Sequence, residues 1–231
     1  RQDRSLRPII GAGHSLGEFT ALVAAGALDY ASALQLVRER GRLMKQAGDV
    51  SPGGMAAILG VDDETLAQIC VDASDLGVIM IANANCPGQT VISGEVAALE
   101  KAMDLAKAAG AKRALRLGVS IAAHSPLMAD ANRSFADAID AVSFNAPAWP
   151  IVSNAGVQLL TSAEAVKSEL LSHMEGPVLW TQTVLEMKRA GAASLLELGP
   201  GAVLAGLVKR IDRDLPVKNV SVLDQNGNLI S

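Results

Sequence analysis

The chain is expected to fold as an α/β protein in which a ferredoxin-like β-α-β-β-α-β unit interrupts a larger α/β body. Three observations predict this. Apolar runs of strand length alternate with longer helical patterns, and residues 53–119 spell a self-contained series of six elements. Half of the 231 residues are hydrophobic, which is enough for a substantial core without covalent staples.

Residues 6–11 read as a buried strand running into the glycine turn of GAGHSLGE, and residues 18–25 as the helix that follows. Over residues 30–44 a second helix sets Tyr30, Ala33, Leu34, Val37, Gly41 and Met44 along one side and Arg38, Arg42 and Lys45 on the other. The inserted unit begins with a strand at 55–59 and a helix at 63–73 capped by Asp62. Strands at 78–82 and 89–93 flank the Pro87-Gly88 turn, and a helix over 95–109 leads into a last strand at 113–117. The body resumes with a helix that has Ser125 as N-cap and Pro126 as its first residue. A strand at 150–153, a helix after Pro177, a strand at 195–198, the GPG turn, a helix and a strand at 218–222 complete it. The body is therefore expected over 1–50 and 121–231, and the inserted unit over 51–120.

Charge and composition narrow the function. The net charge is −4 with both signs mixed along the chain, so no basic footprint for nucleic acid is expected. No apolar run reaches the roughly 18 residues that span a bilayer, and RQDRSLRPII lacks the pattern of a signal peptide, so a cytoplasmic protein free of membranes is expected. Cys70 and Cys86 stand in unrelated contexts with no metal-ligand spacing, which fits reduced thiols and no metal site.

Gly13-His14-Ser15-Leu16-Gly17 is a G-x-S-x-G turn between an expected strand and an expected helix. Such a turn lifts the Ser15 hydroxyl to the positive end of the helix, where the Leu16 amide can donate to a developing oxyanion. His14 reads as packing. A serine nucleophile needs a proton acceptor, and the chain has three histidines. His124 directly precedes the Ser125-Pro126 helix start, where positive potential favours the neutral ring that a base requires. His173, read as lying in a helical stretch at 169–175, is the weaker candidate. Arg40 falls inside the apolar arc of its helix, a costly place for a guanidinium without an anion. An internal salt bridge to an Asp or Glu would supply one, and so would a substrate carboxylate.

At these residues the sequence resembles the malonyl-CoA:acyl carrier protein transacylases of fatty acid and polyketide synthesis. The likeness runs along the whole chain through GHSLGE, RERGRLM, NANCPGQ, AAHSPLM, FNAPAWPIVSN, GPVLWTQTV and ELGPGAVL. It implies a hydrolase-like parallel-sheet body and a ping-pong reaction in which Ser15 takes malonyl from coenzyme A and His124 carries the proton. It also implies that Arg40 pairs with the malonyl carboxylate, with Leu16, His14, Met44, Asn85 and Ala123 around the substrate and Gln89 in the same bordering loop. The main-chain carbonyl that orients the catalytic histidine aligns with His173. Coenzyme A thioester is the substrate, and no cofactor is implied.

The partners implied are malonyl-CoA and an acidic carrier protein, for which Lys188, Arg189, Lys209, Arg210 and Arg213 are candidate docking charges on an otherwise monomeric chain. The family's usual opening strand and G-Q-G-S-Q loop, whose glutamine amide completes the oxyanion hole, have no counterpart here, so the chain is expected to begin within the domain. Losing one such donor costs on the order of 100-fold to 1,000-fold in rate. Ala123 stands where relatives often carry Phe or Ser, and malonyl is preferred over methylmalonyl as the acyl group. Two rival readings are a serine hydrolase or thioesterase, and a fragment that only docks a carrier protein.

Overall fold

The computed structural model describes residues 7–223 and 229–230. Its elements run β1 (Gly11–Ala12), α1 (Gly17–Ala24), α2 (Tyr30–Val50), β2 (Gly53–Leu59), α3 (Asp63–Ala73), β3 (Ile79–Cys86), β4 (Gln89–Glu95), α4 (Val96–Ala108) and β5 (Arg113–Arg116). They continue as α5 (Ala129–Asp140), β6 (Ile151–Val152), β7 (Leu159–Leu160), α6 (Ala163–Leu170), α7 (Trp180–Arg189), β8 (Leu195–Leu198), α8 (Val203–Ile211), β9 (Val217–Val220), β10 (Val222–Leu223) and β11 (Leu229–Ile230).

Strands β2 to β5 form an antiparallel sheet in the order β3-β4-β2-β5, with α3 and α4 packed on it. Strand alternation divides its side chains. Ala56 and Ile58 of β2 and Ile92 of β4 face the helices and meet Leu66, Ile69 and Leu99, whereas Met55 and Val91 face the opposite way into the core of the body. Asp62 starts α3 by accepting from the Thr65 amide at 2.8 Å, and Asp29 starts α2 by accepting from the Ala31 and Ser32 amides at 3.0 Å. Cys70 and Cys86 are buried and free.

In the body, β1 pairs in parallel with β6, β6 pairs antiparallel with β7, and β8 pairs in parallel with β9. The expected parallel sheet is thus present, among the described residues, as two separate parallel pairs, with an antiparallel strand β7 that the sequence pattern did not indicate. The strand expected at 6–11 is confined to β1. Pro150 stands at its start and has no N–H, so the ladder begins where Gly11 donates to the Pro150 carbonyl at 2.9 Å. Leu6 of that expected strand lies outside the described residues.

Three further differences have local causes. Strand β3 continues to Cys86, four residues past the expected end at Ala82, because Asn83, Ala84 and Cys86 stay paired with Val91, Thr90 and Gln89 of β4, while on the other side Val178 donates to Ala82 and accepts from Ala84. The helix after Ser125 opens as a short 3-10 turn, Pro126–Met128, before α5, with the Ser125 hydroxyl accepting from Leu127. Helix α6 starts at the N-cap Ser162 and ends at Leu170, so His173 lies in the turns after a helix and not within one. Among the described residues no helix is long and apolar enough to cross a membrane.

Candidate active site

Ser15 sits between β1 and α1 with φ at 49°, in the left-handed region that costs a side-chain-bearing residue about 1–2 kcal/mol. The turn is possible because Gly13 carries no side chain: a Cβ there would lie 2.0 Å from the Gly17 carbonyl. Asn154, at the end of β6, pins it. Its Oδ1 accepts from the Ser15 amide at 2.8 Å, and its Nδ2 donates to the Gly13 carbonyl at 2.8 Å and to Glu18 Oε2 at 2.7 Å. Leu16 follows as the N-cap of α1, at the positive end of the helix.

The Ser15 hydroxyl lies 2.8 Å from His124 Nε2, and His124 Nδ1 lies 2.8 Å from the Gly176 carbonyl. A carbonyl only accepts, so Nδ1 carries the proton and the Nε2 lone pair faces the hydroxyl. Burial first, then the neighbouring His173 and Arg40, push the His124 pKa down to about 3, so the ring is neutral at physiological pH. The carbonyl that orients His124 therefore belongs to Gly176 and not to His173, whose alignment predicted it. The backbone path explains the difference: the chain turns through residues 171–176, the Met174 carbonyl takes the His124 amide, and Gly176 is the residue whose oxygen reaches the ring.

His173 is present in the site by its side chain instead. Arg40 Nε donates to His173 Nδ1 at 3.3 Å, which leaves the His173 proton on Nε2, 3.1 Å from the Ser15 carbonyl and 3.2 Å from Glu18 Oε2. Arg40 Nη2 donates to the Ser15 hydroxyl at 3.1 Å. Arg40 is 7% exposed, and burial lowers its pKa to about 10, which leaves it charged. Glu18 is fully buried, and desolvation raises its pKa to about 8. Burial lowers His173 to about 3, so at neutral pH its contact with Glu18 is mainly a hydrogen bond between uncharged groups and not an ion pair.

The internal salt bridge that could have explained Arg40 is not there: among the described residues no carboxylate lies within salt-bridge distance of it. His14 turns away from Ser15, its Nε2 lying 2.8 Å from Asn85 Oδ1 and its ring 5.5 Å from that of Trp180. Met44 and Ala123 are buried in the apolar core of the body, and Gln89 is engaged by Arg210. A cavity of about 360 Å3 opens between α2 and α5, lined by Gln35, Arg38 and Ala138, and contains none of these residues. Among the described residues no group of acids, cysteines and histidines could hold a metal ion.

Sequence reasoning did not assign roles to Glu18, Asn154 or Gly176. All three stand inside recognisable strings, GHSLGE, PIVSN and GPVLW, but only the fold brings them under Ser15.

A strained serine between strand and helix, a neutral histidine on its hydroxyl and an α/β body define an acyl-transferring enzyme of the serine class. The chain belongs to the acyl transferase domain family, which residues 4–229 match. It is 44% identical to the malonyl CoA-acyl carrier protein transacylase of Escherichia coli K12 over 211 residues, 91% of this chain and 68% of that protein. Among solved structures it resembles the acyl carrier protein S-malonyltransferase of Vibrio cholerae, with TM-score 0.91, 43% identity, and 94% of this chain and 71% of that one covered. A type II polyketide malonyl-transacylase in complex with its acyl-carrier protein gives TM-score 0.91 and 42% identity, covering 94% of this chain and 70% of that one.

Proposed function

We propose that this chain transfers a malonyl group from coenzyme A to the phosphopantetheine thiol of an acyl carrier protein through an ester on Ser15. The observation that carries the reading is the 3.1 Å contact made with the nucleophile by Arg40, which among the described residues has no carboxylate within salt-bridge distance. A carboxylate two bonds beyond the ester carbonyl comes within reach of that guanidinium, and a neutral acyl chain offers it nothing.

In the first half-reaction His124 Nε2 takes the Ser15 proton as Oγ attacks the thioester carbonyl. The Leu16 amide donates to the oxyanion, and collapse expels coenzyme A, whose sulfur takes the proton back from His124. In the second, His124 takes the carrier thiol proton, the thiolate attacks the ester, and the proton returns to Ser15. The Gly176 carbonyl keeps the imidazole in the tautomer that both halves require. Asn85, His14, Met44 and Ala123 belong to the walls of this site in the proposal, with malonyl taken as the acyl group. No cofactor enters either step.

The family's two-part architecture supports a body of 1–50 and 121–231 carrying the nucleophile, base and arginine, with 51–120 as the small domain beside it. A monomer acting in the cytoplasm, without membrane or nucleic acid, completes the reading. Of the docking cations, Lys188 pairs with Asp212, Arg189 with Glu186, and Arg210 with Gln89 and Pro87, so Lys209 and Arg213 are the better candidates for an acidic carrier.

Mixing the protein with malonyl-CoA and measuring intact mass tests the proposal. A malonyl adduct on Ser15 that passes to a carrier thiol is expected. Release of malonate to water at the same rate would make the protein a hydrolase, and a chain that never acquires the adduct refutes the transferase reading.

A further inference from the structure

A buried guanidinium is ordinarily found with a carboxylate, and a bidentate pair would occupy the fork of Arg40. A buried carboxyl is indeed close, but a ring stands in the way. His173 accepts from Arg40 Nε at 3.3 Å on one edge and meets Glu18 Oε2 at 3.2 Å on the other. Its second partner at that edge is the Ser15 carbonyl at 3.1 Å, so the ring is tied to the nucleophile's own residue. Phe19 packs against it edge-on at 5.2 Å, which prevents the ring from swinging aside.

We propose that the His173 imidazole is a positioning residue for acyl selection: it aims Arg40 at Ser15 through a neutral acceptor and keeps the guanidinium apart from Glu18. The arginine is thereby oriented without being neutralised, and its charge stays open to the free carboxylate of a diacid acyl group. A direct partner carboxylate would compete with that substrate. An apolar residue would leave the Nε–H unsatisfied and the guanidinium free to turn from the hydroxyl. The inference rests on the reading of Arg40 as the malonyl-carboxylate ligand and adds what holds it ready.

The test is the rate of Ser15 acylation, as kcat/KM, with malonyl-CoA and with acetyl-CoA, in His173→Gln, His173→Leu, His173→Glu and Arg40→Ala. The malonyl-to-acetyl preference is expected to fall about tenfold or more in His173→Leu, further in His173→Glu, and to stay within about threefold of the parent in His173→Gln, whose amide can still accept from Arg40. Equal losses with both thioesters in His173→Leu would reduce the ring to packing and overturn the proposal. Preference lost in Arg40→Ala but kept in His173→Leu would overturn the positioning role alone. Preference kept in Arg40→Ala would overturn the reading of Arg40 itself. Should His173→Leu not fold, equal preference in the Gln and Glu variants overturns the proposal.

Discussion

The inserted sheet and the junction beneath Ser15 are both removed from water, by opposite means. On its helix-facing side the sheet buries Ala56, Ile58, Leu66, Ile69, Ile92 and Leu99, side chains that ask nothing of their neighbours except volume. The junction buries Glu18, Arg40, His124, Asn154 and His173, each of which costs free energy unless a specific atom meets it. Hydrogen bonds donated by Asn154 and His173, and the one that the Gly176 carbonyl accepts from His124, meet most of that demand. Glu18 Oε1, buried without a partner among the described residues, is where it is not met. One region is held by apolar burial, and the other keeps neutral imidazoles and a charged arginine in fixed positions away from water.

Substitutions can sharpen that contrast. The largest effect is expected for His124→Ala, which should slow Ser15 acylation by about 10,000-fold or more while leaving the far-ultraviolet circular dichroism unchanged. A loss under tenfold would mean another base acts. Next, Asn154→Ala releases the Ser15 amide, the Gly13 carbonyl and Glu18 together, and acylation should fall on the order of 100-fold as the turn relaxes. Leu66→Ala, in the apolar region, should do the reverse: a stability cost of about 2–5 kcal/mol in denaturant titration with the acylation rate of folded protein unaltered. Similar rate losses in these two variants would erase the distinction between the regions.

The smallest effect concerns pH. Glu18 titrates near 8 when folded against an ordinary 4.5, so its contribution to stability is complete below 4.5 and is lost as pH rises through 8. His124 and His173, at about 3 against 6.5, contribute above 6.5 and lose that contribution as pH falls toward 3. The cluster is therefore most stable near pH 6.5. Glu18→Gln should remove the alkaline decline, and comparison of the variant's Tm with that of the parent at pH 6.5 and 8.5 measures it. Parallel curves for the two proteins would show that Glu18 is already ionised at neutral pH.

Much of the fold was legible because its determinants are local. Asp62 caps a helix that begins one residue later, Pro87-Gly88 turns between two apolar strands, and Ser125-Pro126 opens the turn before α5. Ser15, His124 and Arg40 were legible as individually unusual residues: a serine in a glycine turn, a histidine before a helix start, an arginine on an apolar face. The rest depends on contacts across long stretches of chain. Strand β1 is short because Pro150 stands beside it, and β3 is long because its polar end stays paired with β4 on one side and meets Val178 on the other. His173 was assigned by alignment to the backbone contact that Gly176 makes, because a motif names a position and not the direction in which its carbonyl points.

Composition, periodicity and motif by themselves determined the α/β class, the small inserted unit and the three side chains on which the chemistry is proposed to turn. Those are properties of a residue and its near neighbours, set by side-chain volume, caps and turns. Only the tertiary structure decided that Asn154 holds the nucleophile, that Gly176 selects the tautomer of His124, and that a neutral ring separates Arg40 from Glu18. Distance and direction between groups remote in sequence determine whether a buried charge is cancelled or kept available, and one-dimensional order does not carry either quantity.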